Sequence, residues 1–247
     1  MIAAKTDPHV SCPIVCGEYM RATGFFLTAN NQTYLITARH NLLPTDATEF
    51  ETGEHSLTYC TNHLFTTIDI YLRNNSTFTV KRVHPLEKQD LLLDDGIDVI
   101  GVPIDLDPEE YGYILWTLDD ITTPDASSTT LDIIGYPSRS FPDNGEYDTD
   151  RYTQRITGPY VLSLLNDFQT HQQTPADTGH LAIGIDTGPK KKDVAYEGYS
   201  GCPVLGDGLV GIHCANFPAT AVHTETETIE TMAIAYWRAD ALNQLFL

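Results

Sequence analysis

Gly24-Phe-Phe-Leu-Thr-Ala-Asn-Asn-Gln-Thr-Tyr-Leu-Ile-Thr-Ala-Arg-His40 is the stretch on which the fold turns. Two short runs rich in aromatic and β-branched residues flank the Asn-rich turn 29–32, the pattern of an antiparallel hairpin. Working outward, runs of the same kind, each bounded by turn residues, occupy 64–72, 77–83, 99–104, 131–136, 151–164, 181–185, 204–205, 209–214 and 231–235. Gly206-Asp207-Gly208 supplies a tight turn between two of them. Only the end reads as a helix, over 236–247, where Trp237, Leu242, Leu245 and Phe246 fall near one face. Many short strands at turn-punctuated intervals predict an all-β sandwich or barrel. The polar segment 119–128 suits a linker between two halves, and the long polar segments 137–150 and 166–179 read as surface loops.

The chain has 247 residues, room for one large domain or two small ones packed together. It carries 14 Lys and Arg against 34 Asp and Glu, a formal charge of −20. Nucleic acids and anionic membranes are bound through clustered Lys and Arg, so neither is an expected partner. The Lys190-Lys-Lys192 triplet is the one concentrated positive charge and reads as a solvated loop. With 41% hydrophobic residues a substantial core is available, which excludes global disorder. No apolar run approaches the roughly 20 residues that span a bilayer. No signal-peptide core follows Lys5, so a cytoplasmic location is expected.

Five cysteines, Cys12, Cys16, Cys60, Cys202 and Cys214, are too few and too odd in number for a disulfide scaffold. Cys12 and Cys16 lack a second pair with matching spacing, so no metal is expected. A Gly-rich phosphate loop and the H-E-x-x-H pattern are both missing, and the expected chemistry needs no cofactor.

Chemistry concentrates in Gly198-Tyr-Ser-Gly-Cys-Pro-Val204. A Ser between glycines at the start of a strand-turn-strand unit projects its hydroxyl from a tight turn. Such a turn also aims successive backbone N–H groups at one point, as an oxyanion hole requires. The hydroxyl needs a base, and the base needs a partner that fixes its tautomer. His40 ends the apolar run Ile36-Thr-Ala-Arg-His40, and Asp98 opens another in Gly96-Ile-Asp-Val-Ile-Gly-Val102. Asp94 and Asp95 are rivals for the orienting role; Asp98 is preferred because an apolar strand follows it at once.

Taken together, these segments resemble the chymotrypsin-like (trypsin-fold) serine protease family over about residues 20 to 247. The hairpin with Thr37-Ala-Arg-His40 resembles the first barrel's T-A-x-H, and Asp98-Val-Ile-Gly-Val102 the strand that delivers the acid. Ile134-Gly-Tyr-Pro137 is similar to a second-barrel strand of bacterial members, and Gly198–Val204 followed by Leu209-Val-Gly-Ile-His213 resembles the nucleophile loop and substrate-lining strand. The resemblance implies two antiparallel six-stranded β-barrels and a C-terminal helix. The N-terminal barrel, 1–118, would carry His40 and Asp98; a linker, 119–128, would lead to a C-terminal barrel, 129–235, carrying Ser200, and to the helix 236–247. His40 would be general base and then acid, Asp98 its orienter and Ser200 the nucleophile, with the N–H groups of Gly198 and Ser200 as oxyanion hole.

Tyr199 stands where secreted digestive members carry an Asp that pairs with a newly cut N-terminus, so activation of that sort is not expected. In this the chain looks closer to the bacterial stress-protease and glutamyl-endopeptidase branches. Cys202 is read as packing, and Cys214 falls where many relatives place a Ser that bonds the catalytic Asp. His213 matches the pocket His of glutamyl endopeptidases, which implies Glu or Gln at P1, against an unspecific pocket. Val194 lies near the expected pocket base and carries no acid, arguing against Arg or Lys at P1. Ala215 and Asn216 would offer backbone groups to an extended substrate. The expected activity is therefore a serine endopeptidase acting on proteins or peptides. A catalytically silent or partner-activated binding module and an esterase using the same triad are the alternatives.

Overall fold

The computed structural model describes residues 8–17, 20–42, 64–74, 77–94, 97–123, 129–137, 153–160, 180–186, 198–224 and 227–246. Most of the expected loops 137–150 and 166–179, the linker residues 124–128, Asp95, Lys190–Lys192 and Val194 lie outside them.

The predicted hairpin is the central pair of the N-terminal half. β2 (Met20–Ala29) and β3 (Gln32–Thr37) pair antiparallel, Phe25 with Ile36 and Leu27 with Tyr34. Asn30 and Asn31 both adopt positive φ, 52° and 62°, as a two-residue hairpin turn requires and as Asn tolerates better than most residues. The continuous apolar run has a physical reason: both faces of β2 are covered. Phe26 enters the N-terminal core with Ile14, Leu35, Ile70 and Val102, while Phe25 and Leu27 enter a second cluster shared with the other half. Fully burying each such side chain contributes about 1.5–3 kcal/mol.

Around the hairpin lie β1 (Cys12–Cys16), β4 (Thr67–Asn74), β5 (Thr77–Pro85), β6 (Leu92–Leu93), β7 (Ile100–Pro103) and β8 (Leu115–Thr117). They form one eight-stranded sheet in the order β5-β4-β1-β2-β3-β7-β6, with β8 added in parallel to β2. Among the described residues this half is thus a curled sheet of eight strands. Cys12 and Cys16 share the inward face of β1 and are buried, free thiols. Burial holds both well above the ordinary thiol range.

The C-terminal half closes as a six-stranded barrel, β10-β11-β14-β13-β12-β9. Its strands are β9 (Thr129–Ile134), β10 (Thr153–Tyr160), β11 (Leu181–Asp186), β12 (Pro203–Leu205), β13 (Leu209–Thr224) and β14 (Glu227–Arg238). β14 runs through Tyr236 and Trp237, whose register partners are His213 and Ile212, so the helix expected from residue 236 is shorter. It comprises a 3-10 turn, Ala239–Ala241, and the single turn α1 (Leu242–Leu245). Asp240 ties this end down through Arg238 and through His180 Nδ1 at 3.3 Å. Leu242 and Leu245 join the cluster that packs the halves together, with Trp116, Val99 and Ile36 from one side and Ile183, Leu209 and Trp237 from the other. Among the described residues no helix is long and apolar enough to cross a membrane, and no group of three or more His, Cys, Asp or Glu stands ready to hold a metal.

Candidate active site

Strand register brings His40 and Asp98 together. β3 and β7 pair Ile36 with Gly101 and Thr37 with Ile100, so continuing the ladder past the strand ends sets Arg39 opposite Asp98. The Arg39 N–H does donate to the Asp98 carbonyl, at 3.3 Å. The chain then tightens into a 3-10 turn, Arg39–Leu42, which swings His40 over the Asp98 side chain. One carboxylate oxygen lies 2.5 Å from His40 Nδ1, and the other accepts from the His40 backbone N–H at 2.9 Å. The His40 side chain is 32% exposed and that of Asp98 16%, an acid largely covered and a ring open on one side. Asp94 instead offers its backbone carbonyl to Arg39 Nη1 at 2.9 Å.

Burial disfavours charge on both partners, yet their mutual attraction and hydrogen bond outweigh it. His40 is raised above its ordinary value: burial lowers it, and the Asp98 charge and bond raise it more. Asp98 is lowered: burial raises it, and the His40 charge and bond, with the buried Arg39 guanidinium, pull it down.

Ser200 sits in a turn closed by Cys202 N–H donating to the Tyr199 carbonyl at 2.9 Å. Across a trans peptide the N–H points opposite to the C=O, so the Ser200 N–H is aimed away from this turn. Gly198 and Gly201 supply φ values of 93° and 89°. Gly201 is also required sterically: a Cβ there would stand 2.1 Å from Thr37 Oγ1 and 2.3 Å from the Thr23 carbonyl.

The loop is held by the opposite half of the molecule through side chains that sequence reading passed over. Thr23 Oγ1 donates to the Gly198 carbonyl at 2.7 Å and accepts from Tyr136 N–H at 2.9 Å. The Ser200 carbonyl accepts from Thr23 N–H at 3.2 Å and from Asn41 Nδ2 at 2.8 Å. Thr37 Oγ1 completes the network, donating to the Thr23 carbonyl at 2.7 Å and accepting from Asn41 Nδ2 at 3.0 Å. The signal was present in the sequence as polar residues interrupting apolar strands. Thr23, Thr37 and Asn41 are all buried, and buried polar groups are found with partners.

A β-bulge completes the site. β13 pairs His213 with Tyr236 but Ala215 with Ala235, leaving Cys214 as the extra residue. Its carbonyl accepts from Ser200 Oγ at 3.4 Å, longer than an ordinary hydroxyl bond, while its thiol donates to the Ala235 carbonyl at 3.3 Å. The thiol thus serves β14 and not Asp98. The bulge also shifts the phase of alternation, so that His213 and Asn216, three residues apart, meet: His213 Nε2 lies 2.9 Å from Asn216 Oδ1. The His213 ring is fully buried, edge-on to buried Tyr199 at 6.4 Å between centroids. β12 covers β13 only over Leu209–Ile212, so Ala215 and Asn216 keep β14 on one edge and, among the described residues, no ladder partner on the other. Cys202 packs in the C-terminal core, its thiol raised by burial.

No protein-family model and no curated protein matches the sequence. Solved structures do match in shape. The scabies mite inactivated protease paralogue S-D1 superposes with a TM-score of 0.55 at 15% identity, covering 97% of this chain and 92% of that one. Human heparin binding protein gives 0.54 at 10% identity, with 98% and 93% covered. The thermostable serine protease AL20, from an extremophilic microorganism, gives 0.52 at 12%, with 98% and 96% covered. The chain has the chymotrypsin-like two-barrel fold. At these identities the likeness concerns fold alone, and the chemistry rests on the site itself.

Proposed function

We propose that the chain is a serine endopeptidase that forms an acyl-enzyme on Ser200, with His40 as general base and acid and Asp98 as its orienter. The observation that carries this reading is the Asp98 carboxylate bonded at once to the ring and the backbone of His40. A carboxylate so placed holds Nδ1 protonated and leaves Nε2 free to take a proton from the nucleophile. The weak bond from Ser200 Oγ to the Cys214 carbonyl is a resting position. A hydroxyl leaves it readily when substrate brings the base into line, since catalytic hydrogen bonds often tighten only in the complex. Gly198 and Ser200 N–H groups serve as oxyanion hole. The open edge of β13 at Ala215 and Asn216 offers backbone groups to a peptide lying as an added strand, which favours peptide over simple ester substrates. His213 faces the P1 side chain, taking Gln or Glu. No cofactor is called for.

The test is labelling by a fluorophosphonate probe. Wild type reacts and Ser200→Ala does not; a folded wild type that stays unlabelled overturns the reading.

One observation favours a second reading, a silent or partner-activated module. Ser200 Oγ is turned to a carbonyl and not to His40. A partner that turns it back would make labelling conditional. A polyanion of the kind bound by heparin binding protein is disfavoured as that partner by the net charge of −20.

A further inference from the structure

We propose that Pro218 ends the edge of β13 on which a substrate pairs, so that the acyl side of a peptide is held as an added strand through P3 and no further. This rests on the protease reading and deepens it by setting the length of peptide that is recognised.

The backbone bonds around Ser200 show which groups of β13 face outward. The His213 N–H donates to the Cys202 carbonyl at 2.9 Å, and the His213 carbonyl accepts from the Gly201 N–H at 2.8 Å. Residue 213 thus turns both groups away from β14. In an unbroken strand that sense alternates residue by residue. The bulge interrupts it: the Cys214 carbonyl also faces outward, where it accepts from Ser200 Oγ. Across a trans peptide the N–H and C=O point in opposite directions, so the Ala215 N–H turns in toward β14. From there the register is regular, Ala215 with Ala235, Asn216 with Ile234, Phe217 with Ala233 and Pro218 with Met232. Asn216 therefore presents its N–H and C=O to the open edge, Phe217 presents its own to β14, and residue 218 is the next to face outward.

The identity of residue 218 agrees with this count. A proline has no N–H to give to a ladder, and within a strand it is confined to places where its nitrogen faces an open edge. At position 218 it removes no bond between β13 and β14, and it leaves the open edge a carbonyl without a donor. A prolyl nitrogen also carries a ring carbon where other residues carry a hydrogen, which keeps the carbonyl of a neighbouring strand out of bonding distance. Edge prolines are a general guard against the addition of further strand.

A peptide lying antiparallel to β13 with its scissile carbonyl at Ser200 has P1 beside the Cys214 carbonyl. Bonded positions recur every two residues, so P3 falls opposite Asn216 and P5 opposite Pro218. P3 meets a donor and an acceptor. P5 meets no donor and a ring carbon in its way. Residues before P3 are left outside the ladder and add little to affinity.

The test follows binding in a Ser200→Ala background, so that it does not depend on turnover. N-acetylated alanine peptides of three and of six residues, each ending in glutamine amide, are titrated at pH 7 into the Pro218 and Pro218→Ala forms. The Asn216 backbone amide reports binding by NMR. With Pro218 the two peptides are expected to bind equally, to within about twofold. Pro218→Ala should leave the three-residue peptide unchanged and bind the six-residue one about three- to tenfold more tightly, as a restored backbone bond allows. Pro218→Val restores the same N–H on a strand-forming residue, should give the same gain, and guards against a defect peculiar to alanine. A six-residue peptide that already binds the Pro218 form severalfold more tightly than the three-residue one overturns the proposal. So does a length dependence that is the same in all three forms, or no binding of any peptide to any form. Fluorophosphonate labelling of the Ser200 form of each variant is read separately. Its absence throughout overturns the protease reading, while the length series still decides the role of Pro218.

Discussion

The Asp98 carboxylate grips His40 twice, through the ring at 2.5 Å and through the backbone N–H at 2.9 Å. One side chain thereby sets the tautomer of the ring and the path of the turn that carries it. Asp98→Asn separates these roles. Its amide oxygen still serves the backbone N–H, while its NH2 faces Nδ1 and forces the proton onto Nε2, the wrong nitrogen for a base. On the protease reading kcat falls about 10⁴-fold. The fold is kept, as near-UV circular dichroism will register.

The raised value of His40 fixes the sign of two pH effects. On the protease reading activity requires the neutral ring, so kcat/KM rises with pH along a limb whose midpoint lies above the ordinary histidine value of about 6.5. Stability runs the other way. The protonated ring is favoured in the folded chain, so its contribution is fully present below about pH 6.5 and is lost as pH climbs through the raised folded value. Urea midpoints of Ser200→Ala at pH 6 and pH 9, compared with the His40→Gln double variant, measure it; only the single variant should lose this increment at the higher pH.

Asp98 contributes in the opposite sense. Its folded value is depressed, so its stabilisation is present above the ordinary value of about 3.9 and fades as pH falls through the depressed value. Acid titration of Ser200→Ala beside its Asp98→Asn double variant should show the later acid transition in the form that keeps the carboxylate.

How much of this was legible beforehand differs by kind of signal. The hairpin was readable because its turn chemistry, Asn30-Asn31, and its apolar runs agree. The approach of Asp98 to His40 was readable because each ends or begins a strong strand run. β8 was missed since a three-residue strand lying parallel to β2 leaves no periodic trace. The reach of β14 through Trp237 was missed because Trp237, Leu242 and Leu245 imitate a helical face while serving two different elements. The bulge at Cys214 has no residue signature at all. With it went the meeting of His213 and Asn216.

Thr23 couples the halves through one hydroxyl. Thr23→Val keeps the shape and strands two groups, the Gly198 carbonyl and the Tyr136 N–H, at a cost of about 2 kcal/mol. For a chain of this size that lowers Tm by about 4–8 °C. On the protease reading a released Gly198 also loosens the oxyanion donors, so fluorophosphonate labelling should slow by more than the melting shift suggests. Thr23→Ser restores both bonds and both readouts.

Gly201→Ala concentrates the coupling between the two halves in a single methyl group. The backbone there has φ of 89°, which costs about 1–3 kcal/mol for a residue with a Cβ. The new atom would also fall 2.3 Å from the Thr23 carbonyl and 2.7 Å from the Ala38 N–H, backbone that cannot swing aside as a side chain could. Relief requires the Ser200 loop to lift from β2 and β3, and that breaks the bonds of the Ser200 carbonyl to Thr23 and Asn41. A total loss of about 3–6 kcal/mol follows, or a fall in Tm on the order of 10 °C. Gly208→Ala makes the control. A Cβ there would also crowd backbone, the Asp120 carbonyl at 2.4 Å, but far from Ser200 in the fold of β12 onto β13. Gly208→Ala should therefore lower Tm while labelling of its folded fraction stays near wild type, whereas Gly201→Ala should lose labelling even at temperatures where it remains folded. Equal labelling of the two variants would mean that the grip of the N-terminal sheet on this loop is structural only.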